Sequence, residues 1–76
     1  MIIETPAYRA LELFKAGQPV LARDILIEAY AADAELNFTH GRIANMIDLR
    51  EPMNDAERES WDMTILGELR RMALNL

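Results

Sequence analysis

The chain has 76 residues, which is enough for one domain and no more. It contains no cysteine, so disulfides and thiolate metal sites are excluded, and its 13 acidic and 8 basic side chains give a net charge of −5. This acidic balance disfavours nonspecific binding to nucleic acid or to an anionic membrane, and no apolar run approaches the roughly 20 residues of a transmembrane helix. We therefore expect a single helical domain over residues 1–76. We also expect a cytoplasmic location, because the absence of cysteine is compatible with a reducing compartment.

The first helix is predicted over residues 6–16, after a short extended arm at residues 1–4. Thr5 is suited to the N-cap, and Pro6 is suited to the first helical position because its fixed φ matches a helix. Gly17 fits the position just past the helix end, where a left-handed backbone is common.

The second helix is predicted over residues 19–35, and it is apolar around most of its circumference. Its main apolar arc consists of Ala22, Ile25, Leu26, Ala29, Tyr30 and Ala32. A second arc on the far side contains Val20, Ile27, Ala31 and Ala34. Because a helix with apolar residues on several sides must be covered on several sides, we expect the other helices to pack around this one.

The junction between the first two helices carries a recognisable spacing of small residues. Lys15-Ala16-Gly17 is followed by Ala22, Ala29 and Asp33, and over residues 10–33 this spacing resembles part of a tetratricopeptide repeat. A second copy would place a glycine at position 51, where the chain has Glu51, and repeat arrays need several stacked units. We interpret the resemblance as an antiparallel helical hairpin with small residues at the crossing.

Two further helices are predicted, over residues 40–50 and 54–75. Thr39 is the expected N-cap of the third helix, and Asn54 with Glu57 forms the capping-box pattern at the start of the fourth. The fourth helix has a main apolar stripe of Trp61, Ile65, Leu69, Met72 and Leu76. No segment alternates with a period of two, so the predicted fold is all-α, a compact bundle of four helices without a sheet.

Residues that could support catalysis are few. His40 and Ser60 are the only histidine and the only serine, and no nucleophile motif surrounds either. Asp24 and Glu28 lie one turn apart, but no Glu-x-x-His motif accompanies them. We expect a protein that is not an enzyme and that has no metal or other cofactor.

A helix-turn-helix transcription regulator is the alternative function. The second and third helices would form its pair, with Arg42 and Asn45 exposed on the recognition helix, since these residue types read guanine and adenine edges. Asp48 shares that face, the connection at residues 34–38 is loose for such a motif, and the domain is acidic. Nucleic acid is therefore the less favoured partner.

The most uneven charge lies in the acidic segment, residues 48–62, which contains six acidic and two basic side chains. The candidate partner-binding residues in it are Glu57, Glu59, Trp61 and Asp62, because tryptophan is common at binding hot spots and complementary charge speeds encounter. Their partner would be a basic protein, whereas the simpler interpretation is helix capping and solvation. The predicted function is a small non-enzymatic interaction module or regulator, of a kind common among phage and mobile-element accessory proteins.

A second apolar stripe on the fourth helix predicts self-association. Its members, which we name the outer stripe, are Ala56, Met63, Gly67 and Leu74. Four short helices have difficulty covering every apolar arc within one chain of this size, and a two-fold axis lets one surface cover its own copy. A homodimer through the fourth helix is therefore expected.

Overall fold

Four α-helices and no strand make up residues 5–74, the part of the chain that the computed structural model describes. In chain order they are α1 (Pro6–Lys15), α2 (Pro19–Ala32), α3 (Phe38–Asp48) and α4 (Asp55–Leu74). The predicted all-α bundle is confirmed, with helix ends within three residues of those expected. The predicted arm at residues 1–4 and the last position of the predicted fourth helix lie outside the described residues.

Both ends of α1 have the predicted caps. The Thr5 side-chain oxygen accepts a hydrogen bond from the backbone N–H of Tyr8 at 3.1 Å. Gly17 has a φ of 78°, and the N–H groups of Gly17 and Gln18 donate to carbonyls in the last turn of α1 at 3.1 and 2.9 Å. This pair of bonds is a Schellman motif, and it turns the chain directly into α2.

The connection between α2 and α3 differs from the prediction. α2 ends three residues early because Asp33 is extended, with φ −156° and ψ 91°, and its carboxylate accepts the N–H of Leu36 at 2.9 Å. The predicted N-cap, Thr39, is wrong, since the cap position is Asn37. The Asn37 side-chain amide donates instead to the carbonyl of Ala29 at 2.9 Å, which ties the start of α3 to the end of α2.

The hydrophobic core is formed by all four helices, but α2 does not lie at its centre. The extensive helix interfaces are α1–α2, α2–α3 and α1–α4, with a smaller one between α3 and α4. The expectation that all other helices pack around α2 is wrong for α4, because α4 packs mainly on α1. The fully or nearly fully buried residues are Ala7, Ala10, Leu11, Phe14, Ala22, Leu26, Ile43, Ala44, Met46, Ile47, Ile65 and Leu69.

A close contact between α2 and α3 depends on a glycine. A Cβ atom added to Gly41 would lie 2.5 Å from Cδ2 of the Tyr30 ring, closer than nonbonded carbon atoms approach. The ring therefore packs directly against the α3 backbone. Gly41 is a packing residue, which its isolated place in the sequence did not indicate.

Candidate functional site

The two sides of α4 have opposite environments. On the inner side, Ile65 and Leu69 are completely buried. On the outer side, Met63 is 72% exposed and Leu74 is 50% exposed. The two small members of the outer stripe, at positions 56 and 67, are exposed as well. The four residues predicted for self-association thus lie together on one exposed face.

Gly67 has no packing role within the described chain. A Cβ atom added to it would meet nothing within 4 Å, in contrast to Gly41, where a Cβ atom would collide with the Tyr30 ring. A glycine inside a helix costs about 1 kcal/mol relative to alanine. The fold of residues 5–74 gives no reason for that cost at Gly67.

Two opposite charges lie beside the outer stripe. Glu59 and Arg70 are both exposed and are eleven residues apart, so at 100° per residue they point about 20° apart around the helix axis. Neither forms an ion pair with another residue of the described range 5–74. Sequence analysis did not single out Arg70, although it follows Met63 by seven residues, a spacing that returns to the same face of a helix.

Trp61 and Asp62, two of the four predicted partner-binding residues, contribute contacts to the fold. The Trp61 indole N–H donates to the carbonyl of Met46 at 2.7 Å, and its ring packs half-buried against the core. Asp62 accepts two hydrogen bonds from the guanidinium of Arg50, at 2.5 and 3.0 Å. A bidentate pair of this kind fixes both side chains.

Glu57 and Glu59, the other two predicted partner-binding residues, are exposed. Glu57 completes the predicted capping box: its carboxylate accepts the N–H of Asn54 at 3.1 Å, and its own N–H donates to the Asn54 side chain at 2.8 Å. Because residues two apart point about 200° apart on a helix, the two glutamates do not share a face. Only Glu59 lies beside the outer stripe.

The basic side chains of the acidic segment hold the connection between α3 and α4. The Arg58 guanidinium donates to the carbonyls of Arg50, Glu51 and Met53 at distances from 2.8 to 3.2 Å. The Arg50 guanidinium lies 5.3 Å from the centroid of the Phe14 ring, within the range of a cation–π contact. Sequence analysis had counted these arginines only as charges, because three-dimensional proximity decides which carbonyls they reach.

The face of α3 considered for DNA reading is engaged within the chain. The Arg42 guanidinium donates to the Glu68 carboxylate at 2.9 Å. Asp48 accepts a hydrogen bond from Arg23 at 2.7 Å, and this bond raises the pKa of the Arg23 guanidinium. Asn45 is exposed. One of the two predicted base-reading side chains is therefore paired with a carboxylate of α4.

His40 is half-buried near the start of α3. Its Nδ1 atom is buried and has no hydrogen-bond partner among the described residues, and burial lowers the pKa of the imidazole. Within residues 5–74, no three histidine or acidic side chains cluster closely enough to hold a metal ion. No helix in the same range is both long enough and apolar enough to cross a membrane.

Comparison of the chain with protein-family models, with curated proteins and with solved structures found no match. Its function is therefore inferred from the geometry of the chain itself.

Proposed function

We propose that the protein is a small non-enzymatic interaction module or regulator that binds its partner through the outer face of α4. The observation that carries this proposal is the exposure of Met63 and Leu74 on either side of Gly67, on a helix whose opposite side completes the core. A helix with apolar residues on two sides is normally covered on both. Exposed apolar surface on the second side is typical of a protein–protein interface.

Charge specifies what the partner must present to this face. Glu59 lies beside the N-terminal half of the outer stripe, so the partner needs a basic group opposite it, because complementary charge speeds association and rejects wrong partners. We propose that Glu57, Trp61 and Asp62 contribute less than Glu59 to binding the partner. Trp61 and Asp62 are held by Met46 and Arg50, and Glu57 caps α4.

The proposed module acts in the cytoplasm. Its chain has no cysteine, so it forms no disulfides and needs no oxidising compartment.

DNA binding has less support than protein binding. Arg42 would have to leave Glu68 to reach a base, and the net charge of −5 opposes the phosphate contacts that dominate affinity for DNA.

The test is capture of partners in the native host with three tagged chains: the natural sequence, Met63→Glu and Leu36→Glu. Leu36 is 78% exposed in the connection between α2 and α3, so it controls for a charge placed on any exposed apolar residue. An untagged copy of the chain is expressed alongside and counts as a possible partner.

The proposal expects a partner that the natural chain and Leu36→Glu capture and that Met63→Glu loses, with unchanged circular dichroism in all three. Equal capture by all three chains, or no capture by any, would contradict it.

A further inference from the structure

We propose that the partner on the outer face of α4 is a second copy of this chain, bound with its α4 antiparallel about a two-fold axis that crosses the helix near Ile65. The inference rests on the proposed function, because it uses the same face, and it adds the identity and orientation of the partner. Three pairs of residues on that face support it.

The first two pairs match a large side chain with a small residue. In an antiparallel helix pair, a residue that precedes the axis lies opposite the residue that follows it by the same number of positions. An axis near Ile65 therefore places Met63 opposite the partner's Gly67, and Ala56 opposite the partner's Leu74. Each exposed large side chain then faces a residue with little or no side chain, as close helix packing requires.

The third pair matches opposite charges. Glu59 and Arg70 lie at nearly equal distances on either side of the same level of the helix, about 8 Å along the axis in each direction at 1.5 Å per residue. They also lie on the same flank of the outer stripe. A two-fold axis perpendicular to both helices brings like flanks together, so Glu59 meets the partner's Arg70, and symmetry forms this ion pair twice.

A parallel arrangement uses the same surface less well. A two-fold axis parallel to the helices brings opposite flanks of the stripe together, so Glu59 and Arg70 would lie on different sides of the interface from the partner's copies, and the Glu59–Arg70 ion pair would not form. The parallel arrangement would also oppose Met63 to Met63 and leave Gly67 facing Gly67. The antiparallel arrangement is the one in which all three pairs are complementary.

A second copy bound to this face also explains why position 67 is a glycine. Residues 5–74 leave the space above Gly67 open, whereas the partner's Met63 side chain fills that space in the proposed dimer. Alanine at this position would place a methyl group in the interface, although it would raise the helix propensity of α4.

The first experiment is a charge-reversal cycle, measured by sedimentation equilibrium from nanomolar to micromolar concentration in low salt. Glu59→Arg and Arg70→Glu each replace two attractive contacts with two repulsive ones, so we expect each to weaken dimerisation about tenfold or more. The double variant restores opposite charges and is expected to return the dissociation constant to within a few fold of the natural chain. Glu35→Arg, at an exposed position outside α4, is the matched control and leaves dimerisation unchanged.

The second experiment separates the interface from the fold at Gly67. For the dilute monomer, Gly67→Ala is expected to shift the folding equilibrium about fivefold toward the folded state, from helix propensity. The same variant is expected to weaken the dimer, because its methyl group meets the partner's Met63. A substitution that only damaged folding would change both quantities in the same direction.

The outcomes distinguish the two proposals. A monomeric natural chain at micromolar concentration would overturn the second copy as partner, while Met63-dependent capture of another protein would still support the proposed function. A dimer that Met63→Glu disrupts but that the double charge reversal fails to restore would overturn the antiparallel pairing alone. Dimerisation that recovers in the double variant and weakens in Gly67→Ala supports the pairing as proposed.

Discussion

The inner and outer faces of α4 carry similar residue types in opposite environments. Ile65 and Leu69 on the inner face are completely buried, whereas Met63 on the outer face is 72% exposed. The inner face also receives polar support, because Trp61 donates a hydrogen bond to α3. The inner face of this helix therefore stabilises the chain itself, and the outer face is the surface on which we propose that a partner binds.

Two helical glycines show the same contrast. Gly41 is needed by the chain, since the Tyr30 ring occupies the place of a Cβ atom, and Gly67 borders open space. Hydrophobicity alone does not separate apolar residues that hold the fold from apolar residues that stay exposed. The separation depends on whether neighbouring atoms of the same chain are present.

The largest expected effect comes from truncating the inner face. Ile65→Ala removes three buried heavy atoms and leaves a cavity, so we expect the free energy of unfolding to fall by about 2–5 kcal/mol. Met63→Ala, the matched substitution on the outer face, is expected to change the free energy of unfolding of the monomer by less than about 0.5 kcal/mol. Urea denaturation of dilute protein measures both, and similar losses in the two variants would contradict the assignment of the faces.

Alanine at the two glycines is expected to act in opposite directions. Gly41→Ala forces the Tyr30 ring away from α3 and is expected to destabilise the chain by about 1–3 kcal/mol, as overpacking does. Gly67→Ala is expected to stabilise the dilute monomer by up to about 1 kcal/mol. The midpoints of urea denaturation decide the matter, and destabilisation by both substitutions would show that Gly67 has a packing role within the chain.

A smaller effect is expected at the hydrogen bond of Trp61. Trp61→Phe keeps an aromatic ring but removes the indole N–H, which leaves the Met46 carbonyl without this partner and is expected to cost about 1 kcal/mol. Glu59→Gln, on the outer side of the same turn, is expected to leave the stability of the monomer unchanged. Equal effects would indicate that Glu59 also supports the fold.

The smallest expected effect is a pH dependence from His40. Burial lowers the pKa of this imidazole in the folded chain below its ordinary value of 6.5. The unfolded chain therefore binds the proton more readily, so this contribution to stability is complete above pH 6.5 and is lost as the pH falls through the folded-state pKa. Below pH 6.5, the natural chain is expected to lose more stability than His40→Gln. Urea denaturation at a series of pH values measures this, and the same dependence of unfolding free energy on pH in both chains would contradict the effect.

Local sequence signals predicted the helices well. Thr5 and Gly17 delimit α1, and Asn54 with Glu57 begins α4, because each motif involves residues within one turn of each other. Thr39 failed as an N-cap because a more distant contact, from the Asn37 side chain to Ala29, fixes the start of α3.

The candidate site was only partly predictable. Helical periodicity placed the outer stripe on one face correctly, since it depends on a single element. The acidic segment was harder to interpret, because the partners of Trp61 and Asp62 are Met46 and Arg50 on other parts of the fold. Composition counts charges, whereas the folded chain determines which of them remain available to a partner.

The most direct test of the antiparallel dimer is a distance between two copies. The natural chain has no cysteine, so a spin label on Asp55→Cys, at the exposed start of α4, reports on a single pair of sites. With the axis near Ile65 and helices about 10 Å apart, the antiparallel dimer places the two labelled backbones about 30 Å apart. Pulsed electron paramagnetic resonance is expected to show a distance near that value, which Met63→Glu abolishes. A separation near 10 Å, as in a parallel pair, or no dipolar signal at micromolar concentration would contradict the account.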